Sequence, residues 1–251
     1  MDANQVDDAG LVRDPALGGD PTTETGEAIL RLPRAPWVAG VVGLLFSLLF
    51  TAALIILRDL PIVNATDAEV ATWYASGDDT LPSIAALFLA PFAGVTFLWF
   101  IAVIRDQVGD REDRFFATVF FGSGLLFVAL LFVAGAIVSS LIVGPRYLGE
   151  PPPSAETISL IRAMAYAVMF VFATRAAAIF ILSTATVGLR TGVFPRWFCL
   201  LGYLAGLILL LTVSFFDWIV LTLPLWVAFV SLFILRRERA RLQERRAAAI
   251  G

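Results

Sequence analysis

Histidine is missing from this chain, and so is lysine: all 18 basic residues are arginines. A single cysteine, Cys199, stands among 251 residues. These gaps exclude whole classes of chemistry. One cysteine forms no intrachain disulfide. Without histidine, a chain cannot by itself build a Cys/His zinc site, a bis-histidine haem or a Ser–His pair. No catalytic residue, metal site or cofactor is therefore expected, and the reading is that the protein is not an enzyme. Charge is scarce as well, at 16% of residues, with a net value of -3 at pH 7. That balance makes no electrostatic footprint for nucleic acid. The arginine-only, alanine-rich usage is that of a GC-rich bacterial genome, so a bacterial chain is expected.

What is abundant is apolar surface. The chain is 59% hydrophobic, with a mean hydropathy of +0.85. Soluble domains hold about 45–50% apolar residues. An excess of this size puts apolar side chains on the outside of the fold too, so the solvent of this fold is lipid. Six apolar runs lie at 36–57, 81–104, 115–143, 159–189, 197–216 and 218–235. About 20 helical residues cross a ~30 Å hydrocarbon core. A membrane strand would need only about 10 residues of alternating character. Backbone groups in lipid must also be satisfied internally, which long apolar runs do as helices. The expected fold class is all-α: a polytopic transmembrane helical bundle of six spans over 36–235. Runs five and six are barely separated, so "SFFDW" (Ser214–Trp218) is read as a very tight hairpin.

The segments outside the runs set orientation. Residues 1–35 are polar and acidic (Asp2, Asp7, Asp8, Asp14, Asp20, Glu24, Glu27) and are expected to be a disordered cytoplasmic tail. The opening "MDANQVDD" lacks a basic n-region, so the first apolar run is expected to be retained. Arginines cluster before run one (Arg31, Arg34), between runs two and three (Arg105, Arg111, Arg114) and between runs four and five (Arg190, Arg196). They are densest in the tail 236–251, which begins "RRERARLQERR". The alternate connections hold only Arg58 and Arg146. By the positive-inside rule both termini are cytoplasmic. Trp37, Trp197 and Trp218 fall at span ends, at headgroup level. The arginine tail is expected to continue helix six and rest on anionic lipid headgroups at the cytoplasmic face of a bacterial plasma membrane.

Shorter signals add detail. "TDAE" is a capping box, with Thr66 capping and Glu69 reaching back, so 66–76 is read as a short helix on the outer surface. Ser154 after "PPP" is a plausible N-cap for a fourth helix that begins outside the lipid. Pro91 and Pro224 inside runs two and six predict kinks. "NAT" at Asn64 matches a glycosylation sequon that has no role in a bacterial chain. The carboxylates Asp106, Asp110, Glu112 and Asp113 alternate with arginines and read as a solvated, self-neutralising loop.

One residue breaks the apolar pattern. Arg175 lies 13 residues after Arg162 and 15 before Arg190, near the middle of run four. A charge there costs about 2.5–3.5 kcal/mol on insertion scales and is read by default as functional when it has a partner. The other reading, which a missing partner favours, is a structural arginine that is hydrogen-bonded within the bundle or snorkels. No run contains an aspartate or glutamate. The nearest acid by topology is Asp217, which belongs at the outer interface roughly 15 Å from mid-plane. The other candidate partners are Ser47 and Thr51, four residues apart in run one on a face with Gly40 and Gly43. On a helical wheel Arg175 shares its face with Val168, Val171, Phe172, Ile179 and Leu182, while Ala173, Ala177 and Thr184 lie opposite. The candidate intramembrane polar site is therefore Arg175, Ser47, Thr51 and Asp217.

"GDREDRFF", "GSGLLF" and "FPRWFCLLGY" resemble segments of a set of six-helix integral membrane proteins from actinobacteria, and the resemblance covers most of 36–235. It implies six spans and residence in a membrane, and it brings with it no activity and no site residues. The functional expectation is a non-enzymatic membrane protein that organises a membrane partner or lipids. The alternative is a small transporter or a lipid- or anion-binding protein with a cavity at Arg175. Topology is testable directly. Single-cysteine variants at 60–80 should react with an impermeant thiol reagent added outside, and variants at 106–113 should not. Outside labelling of 106–113 overturns the orientation.

Overall fold

The computed structural model describes residues 36–58, 66–108, 114–212 and 217–250. The acidic segment 1–35, Asn64, and Asp110, Glu112 and Asp113 lie outside the described residues, as do the side chains of Asp106 and Asp217. The described chain forms seven helices: α1 (Pro36–Arg58), α2 (Asp67–Ser76), α3 (80–108), α4 (114–148), α5 (Ala155–Thr191), α6 (Arg196–Leu211) and α7 (217–250). Five of them, α1, α3, α4, α5 and α7, are long and apolar enough to cross a membrane. α6 is apolar but has 16 residues, or roughly 24 Å of helix. The fifth apolar run continues to Phe216, but the helix stops at Leu211, where Thr212 turns to extended backbone (φ -91, ψ 127).

Side-chain pairs fix how the helices run. Gly40 faces Leu235, Gly43 faces Ser231, and the Ser47 hydroxyl lies 2.8 Å from the Pro224 carbonyl. α1 and α7 are therefore antiparallel. Gly94 faces Phe132 and Gly124 faces Ile101, so α3 and α4 are antiparallel too. Gly202 meets Ala185 and Gly206 meets Leu182 and the Ala178 carbonyl, which folds α6 back along α5. The return is made at Gly192 (φ 64), a left-handed position where glycine carries no steric penalty.

Phenylalanine dominates the shared interior. Phe97 lies 4.5 Å from Phe46, 5.0 Å from Phe180 and 5.4 Å from Phe127 between ring centroids. All four rings are buried. The outside is equally apolar: Leu48, Trp99, Leu200 and Leu211 are each exposed by more than 60%. In water such a surface would aggregate; in a bilayer it is the surface that lipid tails cover.

Three helices carry π turns, at Ala85–Leu89 in α3, Gly144–Leu148 in α4 and Ala167–Ala173 in α5. The first has a sequence cause. Within it the Ala90 N–H bonds the Ala85 carbonyl, five residues back. The next donor in that ladder is residue 91, a proline without an N–H, so the Ala86 carbonyl loses its backbone partner. The Ser139 hydroxyl of α4 stands 3.5 Å from it, at the outer limit of a hydrogen bond.

The glycine contacts make a direct prediction. A Cβ on Gly202 would lie 2.9 Å from both Ala185 Cβ and Trp226 Cζ2, whereas a Cβ on Gly122 meets nothing within 4 Å. Gly202→Val should destabilise the bundle by about 1–3 kcal/mol through overpacking, and Gly122→Ala should be neutral. Unfolding in mild detergent with increasing SDS checks both.

Candidate functional site

Arg175 sits one residue into the regular part of α5, directly after the seven-residue π stretch Ala167–Ala173. At the end of that stretch the Thr174 N–H bonds Met169 O, five residues back. When the ladder returns to the α spacing, the next N–H reaches four residues back to Val171, and the Phe170 carbonyl is skipped. Two side chains answer it. The Thr174 hydroxyl donates to Phe170 O at 2.7 Å, and Arg175 Nη1 lies 3.3 Å from the same oxygen. Nη1 also donates to Val171 O at 2.7 Å and lies 3.4 Å from Thr174 Oγ1.

The arginine thus curls back toward the N-terminus of its own helix, the direction in which helical side chains point. A hydrogen bond from a charged donor contributes about 1.5–3 kcal/mol. That is the same order as the insertion cost of the charge, so Arg175 is tolerated without a carboxylate. Among the described residues all of its hydrogen bonds leave from Nη1. Nε and Nη2 remain as donors without a partner there.

The other candidate residues lie elsewhere. The Ser47 hydroxyl sits 2.8 Å from both Gly43 O and Pro224 O, which ties α1 to α7 rather than to α5. Thr51 forms no hydrogen bond with Arg175. Asp217 begins the 3-10 turn that leads into α7. Ser47 is thus engaged with α7, and the hydroxyl beside Arg175 is that of Thr174. Beside Thr174, a cavity of about 10 Å³ is bordered by Phe127, Met169, Ala177, Leu209 and Leu223. That is room for about one water. The small face of the helical wheel is the packed one: Ala173, Ala177 and Thr184 are buried, while Phe172 on the arginine's side is 58% exposed.

A second polar group gathers at α2: its capping box was legible in the chain, and its long-range contacts were not. α2 begins with Thr66, whose backbone N–H donates to the Glu69 carboxylate at 2.7 Å while the Glu69 N–H reaches Thr66 Oγ1 at 3.4 Å. The Thr66 backbone N–H, then its hydroxyl, hold the Glu69 carboxyl below its ordinary pKa. Val70 and Tyr74 turn α2 onto Leu141 of α4 and Ile158 of α5. The Tyr74 hydroxyl donates to Leu141 O at 2.6 Å, and Asp67 accepts from the Ala155 N–H at 2.7 Å. Beside them the buried Asp79 pairs with Arg146 at 2.7 Å. α2 is thus fastened to helix ends. Two further buried groups, Trp226 Nε1 and Ser231 Oγ, have no hydrogen-bond partner among the described residues.

No protein family, curated protein or solved structure matches this chain. These comparisons identify no family, and what stands is a helical membrane protein with several apolar spans. Among the described residues no three His, Cys, Asp or Glu side chains come together as metal ligands.

The Tyr74 contact yields a pH test. Burial, and then the charge of Asp79, push the Tyr74 hydroxyl up to about 12. A tyrosine whose folded value lies above its unfolded value of about 10 stabilises the fold fully below pH 10. That contribution is lost as pH rises toward 12. Ultraviolet titration should show a component that ionises near pH 12, and Tyr74→Phe should remove it. Arg146→Gln, which leaves the buried Asp79 without its cation, should lower stability, as read by SDS unfolding, and Arg146→Lys should restore part of the loss.

Proposed function

We propose that this protein is a non-enzymatic, multi-pass protein of a bacterial plasma membrane that organises a membrane partner or lipids. The observation that carries the reading is the form of α7. It runs as one helix from Thr222 to Ile250, leaving the apolar bundle without a break and continuing through the arginine-rich segment. Arg236, Arg237 and Arg239 are exposed on it. A rigid basic arm rooted in a bundle is suited to anionic headgroups or to an acidic partner surface at the membrane. Six crossings with both ends in the cytoplasm fit the same reading. Gly40 faces Leu235, so α1 enters and the arm leaves at one end of the bundle, and the arginine-rich connections belong to that end. The transport alternative needs a wet cavity at Arg175. The small cavity beside Thr174 and the bonds from Arg175 to its own helix do not favour it.

Extraction from native membranes into nanodiscs, followed by lipid and protein mass spectrometry, tests the proposal. Anionic phospholipid or a stoichiometric protein partner should be enriched over an unrelated multi-span control. Enrichment should fall in the triple variant Arg236→Gln, Arg237→Gln, Arg239→Gln. Enrichment no greater than the control's, or substrate turnover by the purified protein, overturns it.

A further inference from the structure

We infer that the outward face of α5 at Arg175 docks a transmembrane helix of a different protein, one that carries a carboxylate at mid-span. The inference rests on the reading that this protein works with a membrane partner, and it names the contact. Three observations lead to it. First, Arg175 is half-buried, and its own helix engages only Nη1. The bonds to Phe170 O and Val171 O anchor one arm of a planar fork and leave Nη2 and Nε pre-oriented, which suits bidentate recognition of a carboxylate.

Second, the acid must come from outside. No apolar run of this chain contains an aspartate or glutamate, so neither the bundle nor a second copy of it can supply one at this depth. A charge in lipid is paired by default, and opposite charge is the complement that this face lacks.

Third, the side of α5 that carries the arginine is open on its N-terminal half. Phe172, three residues before Arg175, is 58% exposed, and Met164 and Leu160 at 50% and 62% continue that side toward the start of the helix, whereas after Arg175 Leu182 packs on Gly206 of α6. An apolar helix laid on that strip would cover these side chains and bring one polar residue to the fork. A lipid phosphate shares the charge, but headgroups lie about 15 Å or more from mid-plane. Arg175 stands roughly 20 Å along the helix from both Arg162 and Arg190, so a helix reaches it more readily than a headgroup does.

The test uses the full chain with a fluorescent tag in phosphatidylcholine vesicles, together with labelled single-span polyleucine peptides that carry Glu, Gln or Leu at the centre. By energy transfer, the Glu peptide should associate about five- to thirtyfold more tightly than the Leu peptide, the range given by one interhelical polar contact. Arg175→Gln should abolish that preference while helicity and elution profile stay unchanged. A photoreactive residue at Phe172 should crosslink the Glu peptide. Equal association of the Glu and Leu peptides with the unmodified protein overturns the inference whatever the variant does. So does loss of the Glu preference when phosphatidylglycerol is added, since a lipid phosphate then holds the site. Native partners recovered equally well with Arg175→Gln would keep the assembly reading and sink this contact. Glu-peptide binding without any native partner would do the reverse.

Discussion

Lipid offers the backbone no hydrogen-bond partners, so every N–H and C=O in the hydrocarbon must find one inside the protein. Most of this chain meets that demand with plain α-helix. Where the ladder is interrupted, the polar side chains collect. Thr174 and Arg175 answer the Phe170 carbonyl after the π stretch of α5. Ser139 approaches the Ala86 carbonyl, which Pro91 leaves without a donor. Ser47 reaches the Pro224 carbonyl across α1 and α7. Elsewhere the hydroxyls of Thr184 and Thr186 return to carbonyls four residues back on their own helix. Thr174, Arg175 and Ser139 thus answer carbonyls that the ladder leaves free, and Arg175 stands out because only one of its nitrogens is engaged.

Helix-to-helix fit follows a second rule. Lipid tails are as apolar as leucine, so burying hydrocarbon does little to bring helices together, and close contact must do it. Glycines supply that contact at Gly43 on Ser231 and at Gly202 and Gly206 on α5. The same closeness explains why the Ser231 hydroxyl is fully buried without a partner: it lies against a glycine Cα that offers no acceptor.

The sequence was legible where structure is local. Run lengths located the long helices, "TDAE" located the cap of α2, Ser154 the start of α5, and the wheel separated the packed face of α5 from the exposed one. Long-range pairings left no such mark. Asp79 and Arg146 are 67 residues apart, and neither sits in a pattern that announces the other. The end of α6 at Leu211 was hidden because the apolar run goes on to Phe216, and hydropathy does not mark where a helix stops; residues 213–216, which hold the expected tight hairpin, lie outside the described residues. The π stretch of α5 was invisible for a related reason: "AVMFVFA" is as good an α-helix as a π-helix by composition. That stretch determines what Arg175 touches, and helix faces and depth, which point to Ser47, Thr51 and Asp217, carry no sign of Thr174.

The consequence for Arg175 is one of geometry. In an unbroken α-helix the carbonyls below it would all be engaged, and the guanidinium would have to leave the helix for a neighbour or for the interface. The π stretch frees one carbonyl within reach and holds the arginine where it is. A charge so held is stable enough to fold with, while its Nε and Nη2 keep no hydrogen-bond partner among the described residues. Phe172, exposed beside it, belongs to the same face of α5. A backbone irregularity has thereby turned a residue that insertion cost alone would select against into a fixed, half-engaged donor on the outside of the bundle.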